Sequence, residues 1–154
     1  VFTIASWCFF AFLMGSYSQE TAQATTTTPP PEEDPQNFPD QDAEKVVGLA
    51  GQHWVQRRTY TVSSPRGDPK CEYARIVGTA DGEGEKSYTL ELGVRFGGTW
   101  RNKTQNLVLM KSGEHTQPNV LQFARNSADG RHNHTLLYSN YVNCSIVRIK
   151  RNIT

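Results

Sequence analysis

The chain has 154 residues and a mass of 17.3 kDa, which is the size of a single domain with a tail. Its 16 Lys and Arg residues nearly balance its 15 Asp and Glu residues, so it lacks the basic surplus of a nucleic-acid-binding protein. The three cysteines, Cys8, Cys71 and Cys144, are an odd number for a protein with disulfide bonds.

Residues 1–18 predict a secretory signal peptide. They carry no charge, their apolar centre has a suitable length, and Gly-Ser-Tyr-Ser at residues 15–18 supplies small residues for cleavage after Ser18. The alternative, a membrane anchor or a buried helix, is disfavoured because the stretch is short for a bilayer span. Without Met or a basic start, the signal peptide is expected to be partial. We expect a secreted, extracellular protein that does not bind membranes and that loses Cys8 with the signal.

Residues 19–39 predict a disordered linker. Apolar residues are nearly absent there, so burial cannot offset the chain entropy that folding would cost. A run of Thr residues beside three prolines suits an extended, O-glycosylated stalk, and a plain spacer fits equally well. The predicted folded domain therefore covers residues 40–154.

A single helical pattern occurs, at residues 40–51. Its start is indicated by Pro39 and Asp40 and its end by Gly51. Four apolar residues recur with helical spacing and predict one buried face: Ala43, Val46, Val47 and Ala50. One short helix cannot form a core alone, so we expect it to pack on a sheet.

The remainder of the chain predicts a sheet. The predicted strands cover residues 53–62, 71–79, 87–96, 99–111, 119–125, 133–139 and 143–150. Turn signals such as Asp-Gly and Gly-Gly separate them, and no helix interrupts the series. We predict an all-β fold, a lipocalin-like antiparallel up-and-down barrel with seven strands visible, an eighth missing, and the helix plugging one end.

Four N-glycosylation sequons lie in the predicted barrel, at Asn102, Asn133, Asn143 and Asn152. Each motif is weak alone, but four of them together with a signal peptide predict a glycoprotein. Asn152 lies very near the end of the sequence, which disfavours its use. A disulfide at Cys144 would compete with glycosylation of the adjacent Asn143.

Three passages resemble the tick salivary lipocalins, the histamine-binding protein family of the calycin superfamily. The first is Gln-Asp-Ala-Glu-Lys-Val-Val at residues 41–47, where the family helix has Trp in place of this Glu. The second is Arg-Arg-Thr-Tyr at residues 57–60, followed by Pro-Lys-Cys at residues 69–71. The third is Leu-Tyr-Ser-Asn-Tyr-Val-Asn-Cys at residues 137–144, and together the passages extend the resemblance over about residues 41–149.

The resemblance implies a secreted carrier without enzymatic activity that sequesters a small host mediator and evades host defence during blood feeding. The family ligands are histamine, serotonin, leukotrienes and fatty acids. The resemblance also implies that Cys71 and Cys144 each pair with a cysteine beyond residue 154, so a bond between the two is not expected. An eighth strand and a C-terminal helix are expected there too, which makes the barrel domain C-terminally incomplete.

The same resemblance predicts a pocket that departs from an amine site. A buried amine needs a carboxylate to offset its desolvation. Where amine-binding relatives have Asp after the hairpin cysteine, this chain has Ser145, and two further acidic positions are occupied by Ser64 and His134. The sequence therefore predicts weak affinity for amines.

An anionic lipid fits the remaining residues better. Tyr60 matches a family pocket position, and the period of the predicted first strand places Trp54 and Arg58 on its face. A guanidinium among apolar groups suits a carboxylate with an apolar chain, such as a leukotriene or fatty acid, unless Arg58 extends to the barrel rim. The candidate ligand-binding residues are Trp54, Arg58, Tyr60, Tyr88, Leu90, Leu92, His134 and Ser145.

A second hypothesis is a secreted glycoprotein module that binds a host protein through its outer loops, with no ligand pocket in use. A pocket closed by Tyr60, Trp54 and Phe96 would favour that module, whereas an open cavity of several hundred Å³ would favour a carrier. We expect a monomer and predict no catalysis and no cofactor. His132 and His134 share a strand face without further ligands at suitable spacing, so we predict no metal site.

Overall fold

The structure, a computed structural model, describes residues 28–81, 86–125 and 130–149. It consists mainly of one antiparallel sheet in which consecutive strands are neighbours. The strands are β1 (His53–Trp54), β2 (Pro69–Asp81), β3 (Lys86–Phe96), β4 (Thr99–Met110), β5 (Val120–Phe123), β6 (His132–Ser139) and β7 (Ser145–Ile149). The sheet curls into a half-barrel beside one short helix, α1 (Ala43–Val47), which confirms the all-β lipocalin-like prediction. The predicted signal peptide, residues 19–27 of the predicted linker and Asn152 lie outside the described residues.

Six of the seven predicted strands are present with ends that differ by at most two residues from the prediction. The exception is β1, which has two residues where the sequence predicts a strand over residues 53–62. After β1, the Arg58 guanidinium pairs with the Glu72 carboxylate and the Tyr60 hydroxyl accepts a hydrogen bond from Arg125. The segment therefore crosses the open end of the half-barrel instead of continuing beside β2.

Helix α1 closes the opposite end of the half-barrel, which we call the base. Val47 packs there against a buried cluster formed by Tyr88 and Leu90 of β3 and Leu107 of β4. Leu107 is fully buried, so the apolar core of the molecule lies at the base. The predicted plug at one end of the barrel is thus present, and the end that the 55–62 segment crosses is the mouth.

Helix α1 is shorter than the predicted helix over residues 40–51. The Asp42 side chain caps its start by accepting hydrogen bonds from two backbone N–H groups of the first turn, at 3.0 and 3.2 Å. Gly48 forms the C-cap. The predicted apolar face is present within these bounds, since Ala43, Val46 and Val47 are buried.

The chain before α1 is folded onto β6 and β7, which differs from the disordered linker predicted up to residue 39. A 3₁₀ helix spans Pro35–Asp40. The Gln41 amide donates hydrogen bonds to the Pro31 carbonyl at 2.9 Å and to a β6 carbonyl at 3.0 Å. The buried Glu32 carboxylate accepts hydrogen bonds from Arg148 of β7 at 2.5 and 2.6 Å. Hydrogen bonds of single buried polar side chains, rather than burial of apolar surface, hold this segment in place. Its amino-acid composition therefore does not show that it is ordered.

Candidate functional site

The concave face of β2, β3 and β4 changes from charged at the mouth to apolar at the base. Opposite residues in neighbouring strands share a face, and each face is reached at every second residue. Three rows follow from the mouth inward: Glu72–Val94–Arg101, Ala74–Leu92–Lys103 and Ile76–Leu90–Gln105. Below them, Tyr88 and Leu107 lie opposite each other and pack on α1. An amphiphile with a charged head and an apolar chain matches this gradient.

A cluster of two arginines that share one carboxylate lies at the mouth. Arg58, from the segment after β1, and Arg125, from the end of β5, both pair with Oε2 of Glu72, Arg125 at 2.6 Å. The side chains of Glu72 and Arg58 are only 14% and 18% exposed, so the cluster is partly desolvated. The buried Nε of Arg58 has no hydrogen-bond partner within the described ranges. The cluster therefore keeps a positive charge and a free donor.

The rest of the concave face adds positive charge rather than neutralising it. Arg101 and Lys103 follow from the register of β4. Among the strand residues whose side chains the structure describes, the acidic ones are Glu72 and Glu91, and Glu91 faces the other way, opposite Arg75. Asp68 also lines the mouth, together with Arg57 and Lys70, so cationic side chains outnumber carboxylates there and the resulting positive potential attracts anions.

His134 of β6 is a neutral base inside the half-barrel. It is 3% exposed and stacks on Phe123, with ring centroids 3.8 Å apart and planes inclined by 5°. Burial lowers the pKa of His134 to about 4 because the imidazolium would lose its hydration. Nδ1 lies 3.2 Å from the Leu121 carbonyl and 3.0 Å from the His132 carbonyl, so the neutral ring carries its proton there. Nε2 is left as a buried acceptor without a partner in the described part of the chain.

Two of the predicted ligand-binding residues lie away from this site. Trp54 is on the convex face, where its ring centroid lies 5.3 Å from that of Tyr73. The ladder of β1 ends at Trp54, so the alternation that would align this residue with Arg58 is lost. Ser145 shares its side of the sheet with His134 by register but is exposed, and its hydroxyl lies 3.0 Å from that of Ser139.

The other predicted ligand-binding residues come together in the half-barrel. Arg58 and Tyr60 meet at the mouth, and Leu92 is partly buried in the second row. Tyr88 and Leu90 lie deeper and belong to the core at the base. Their burial gives these two residues a structural role whatever binds above them.

Open concavities of ligand size occur in the described part of the chain, and two of them differ in their lining residues. Arg58, Tyr60 and residues 68–70 line a concavity of about 320 Å³ at the mouth. The other, of about 330 Å³, lies between the 3₁₀ helix, α1 and residues 116–117. Both volumes are at the lower end of the range for small-molecule sites. Only the first adjoins the charged cluster.

The sequons and cysteines occupy accessible or partly accessible positions. Asn102, Asn133 and Asn143 are exposed. Cys71 and Cys144 are both free thiols. Disulfide partners elsewhere remain a prediction. Within the described ranges, no three His, Cys, Asp or Glu side chains are placed to hold a metal ion, and no helix is long and apolar enough to cross a membrane.

Sequence reasoning missed the two residues that define the charged cluster. In β2, Glu72 is two residues before Ala74 and four before Ile76, which pack against the core. The alternation of the strand could therefore have predicted that the Glu72 side chain lies on the inward face. Arg125 follows the end of β5, and its contact with Glu72 crosses the half-barrel. No local pattern predicts a contact of that kind.

Comparison with known proteins gives one result that bears on this geometry. A family model described as tick histamine binding protein matches residues 31–153, which include α1 and all of the strands described above. No match was found among the curated proteins. The match begins within the segment folded onto β6 and β7, so that segment belongs to the same unit as the sheet.

Proposed function

We propose that this chain, which belongs to the tick histamine binding protein family, is a secreted carrier of a small anionic amphiphile. A leukotriene or a fatty acid has the required carboxylate and apolar chain. Withholding such a mediator from the host would counter host defence during blood feeding. The observation that carries the proposal is the pairing of two guanidiniums with one carboxylate at the mouth of an apolar half-barrel.

The charged cluster supports a carboxylate ligand for an electrostatic reason. Arg58 and Arg125 converge on Glu72, which can neutralise only one of them. An incoming carboxylate would supply the second negative charge and accept charge-assisted hydrogen bonds, which are stronger than neutral ones. Leu92 and Phe123 would then contact the apolar chain below the head group.

The same cluster argues against a biogenic amine as the preferred ligand. An ammonium group needs a carboxylate, and Glu72 already accepts from two guanidiniums. At Glu72 the amine would have to displace an arginine and leave it unpaired, at the cost of a partly buried charge. The other carboxylate at the mouth, Asp68, shares its concavity with Lys70 and Arg57, which compete for it. Histamine and serotonin are therefore the alternative ligands of this proposal.

His134 supports a further feature of the ligand. Its Nε2 is an acceptor, and an unmet buried acceptor costs free energy. A hydroxyl on the ligand chain, or a water held by the ligand, would satisfy it. A hydroxylated fatty acid would therefore bind more tightly than its unsubstituted parent.

The test measures how well oleate displaces a fluorescent fatty acid from the full chain. It compares variants on the concave face with matched control variants on the convex face. Glu72→Gln frees both arginines and should tighten carboxylate binding about 10-fold, which corresponds to one strengthened charge-assisted hydrogen bond. Arg125→Gln should weaken it by about the same factor. The controls Glu91→Gln and Arg75→Gln alter the convex pair and should leave binding unchanged.

Histamine titrations of the same variants distinguish the two ligand classes. Tighter binding of histamine than of oleate, abolished by Glu72→Gln, would contradict the proposal and establish an amine site. If neither probe binds in the micromolar range, the module that binds a host protein through its outer loops becomes the better interpretation.

A further inference from the structure

The convex face carries an exposed aromatic patch, formed by Trp54, Tyr73 and Trp100, that a carrier does not need. The ring centroids of Tyr73 lie 5.3 Å from Trp54 and 5.7 Å from Trp100, and the two indoles lie 6.1 Å apart. Tyr73 is buried beneath, whereas Trp54 and Trp100 are 46% and 43% exposed. Two half-exposed indoles side by side form an apolar surface that a bound group can cover.

The backbone beneath the patch is shaped to hold Tyr73 in place. A Cβ on Gly93 would lie 2.1 Å from Cε1 of Tyr73, so this position leaves room for the ring only as glycine. The Tyr73 hydroxyl donates a hydrogen bond to Glu91 at 2.8 Å, and Arg75 donates to the same oxygen at 2.8 Å. The aromatic patch is therefore a fixed surface rather than a set of loose side chains.

A sequon adjoins the aromatic patch. Asn102 begins Asn-Lys-Thr, lies two residues after Trp100 on β4 and is exposed. It is paired with Gly93, the residue on which the Tyr73 ring rests. Residues two apart in a strand project from the same face at a spacing of about 6.6 Å. Asn102 thus has Trp100 beside it along the strand and Tyr73 beside it across the sheet.

We propose that Asn102 carries an N-linked glycan whose first N-acetylglucosamine packs on Trp100 and Trp54 and covers the aromatic patch. The donor is a lipid-linked oligosaccharide diphosphate. The bond between the sugar C1 and the diphosphate oxygen breaks, C1 bonds to Nδ2 of Asn102, and the amide proton is lost to a base as the lipid diphosphate leaves. The inference rests on the secretion included in the proposed function, since the donor occurs in the secretory pathway.

The chemistry of a pyranose ring fits this surface. Its C–H groups form an apolar face that packs on an indole, while its hydroxyls stay in water or bond to polar neighbours. The Arg95 guanidinium already lies over the Trp100 ring, 5.8 Å from its centroid, so the sugar would pack on the indole surface that Arg95 leaves free and would have a donor beside it. Tethering through Asn102 removes most of the entropy cost of bringing the sugar to the indoles.

The other described sequons lack this arrangement. Asn133 follows Arg131 by two residues and so has a charged residue where Asn102 has Trp100. Asn143 follows Tyr141 by two residues, but the Tyr141 hydroxyl donates to the Pro39 carbonyl at 2.6 Å and so faces the N-terminal segment. Asn143 is therefore a matched control, with an aromatic residue that is already engaged.

For the experiment, the full chain is secreted from insect cells under conditions that keep its glycans in high-mannose form, so that a glycosidase can remove either the whole glycan or all but one N-acetylglucosamine. Peptide mass spectrometry before and after glycosidase treatment measures occupancy at each sequon. We expect Asn102 to be occupied, and the melting temperature to drop by about 3 °C when the whole glycan is removed but not when one N-acetylglucosamine is left. In the Trp100→Leu variant, complete removal should have no effect, and Asn143→Gln should leave the melting temperature of the wild type unchanged.

Two results would overturn the inference. One is secreted protein with Asn102 unmodified. The other is an equal loss of melting temperature on deglycosylation in the wild type and in Trp100→Leu, which would mean that the glycan acts without the aromatic patch. Retention of the chain inside the cell would instead contradict the secretion in the proposed function. Oleate binding is measured separately and does not depend on the glycan.

Discussion

Two carboxylate–arginine clusters lie on opposite faces of β2 and β3. On the convex face, Glu91 pairs with Arg75, which is directly opposite it in the register of the two strands. On the concave face, Glu72 pairs with Arg58 and Arg125, which come from segments outside this strand pair. The residue types are the same, but the first pair is local to one hairpin and the second cluster joins three parts of the chain.

The two clusters contain the same residue types, but they differ in net charge. The convex pair is neutral, and a cross-strand ion pair of this kind supports the sheet. The concave cluster brings two cations to one anion and buries them in part, which contributes little to stability because desolvation offsets the attraction. A surplus of charge held in place without a stability gain is typical of a site shaped by its ligand, so the surplus rather than the presence of arginine is the reason for proposing the concave face as the binding face.

The largest expected difference between the faces is that water is excluded from part of the concave face. The lowered pKa of His134 reports this exclusion. Its pKa is about 4 in the folded protein against 6.5 when exposed. Above pH 6.5 the imidazole is neutral in both states. As the pH falls from 6.5 to 4, the unfolded chain binds a proton that the folded chain does not, so the free energy of unfolding decreases by about 3 kcal/mol. Urea unfolding at pH 7 and pH 4 should show this loss in the wild type and a smaller one in His134→Phe.

A control variant separates the titration of His134 from its packing. Phe123→Leu removes the ring stacked on His134 but leaves the imidazole, so it should reduce stability at both pH values and retain the pH dependence. If His134→Phe and the wild type lose equal stability between pH 7 and pH 4, the concave face is open to water and the comparison between the two faces fails.

The next largest effect is expected at Gly93 on the convex face. Gly93→Ala would force the Tyr73 ring off the strand, at a cost of about 2 kcal/mol from overpacking. Gly78→Ala is the matched control in β2, because its new Cβ would lie 3.6 Å from Thr89, an ordinary contact. Urea unfolding should show destabilisation in the first variant and little change in the second. Oleate binding should be the same in both, since the ligand is expected on the other face.

The smallest effect compares the two carboxylates directly. Glu72→Gln leaves two guanidiniums facing each other and should destabilise the fold by about 1 kcal/mol, with partial recovery at high salt. Glu91→Gln should cost less, since Arg75 is 42% exposed and can turn to water. Adding Arg125→Gln to Glu72→Gln should restore part of the lost stability. Equal losses in the two single variants, with the same salt response, would mean that the clusters do not differ in charge balance.

The regular part of the fold could be predicted from the sequence because local patterns determine it. The alternation of Tyr88, Leu90 and Leu92 predicts both β3 and its apolar face. The sequence predicts Trp54 on the concave face, but the alternation of a strand holds only while the strand continues, and β1 ends at Trp54. The order of the segment that holds Glu32 and Gln41 has no local pattern, because their hydrogen bonds reach Arg148 of β7 and a carbonyl of β6.

The candidate site could be predicted only in part. The family resemblance and the strand period point to Arg58, Tyr60 and His134, but Glu72 and Arg125 depend on contacts that form across the mouth. These contacts join residues that are far apart in the sequence. Arg125 and Glu72, for example, are 53 positions apart. The charge surplus of the site is therefore visible only once the strands have been placed side by side.

The ion pair between Glu32 and Arg148 has a consequence for the order in which the protein assembles. The two residues are 116 positions apart, so the N-terminal partner leaves the ribosome long before β7 exists. Until then the Glu32 carboxylate lacks the partner that it has in the folded protein. Contacts between distant residues form late, because the intervening chain must first be ordered. The contacts that hold the segment from Pro31 to Gln41 can therefore be complete only after synthesis has passed residue 148.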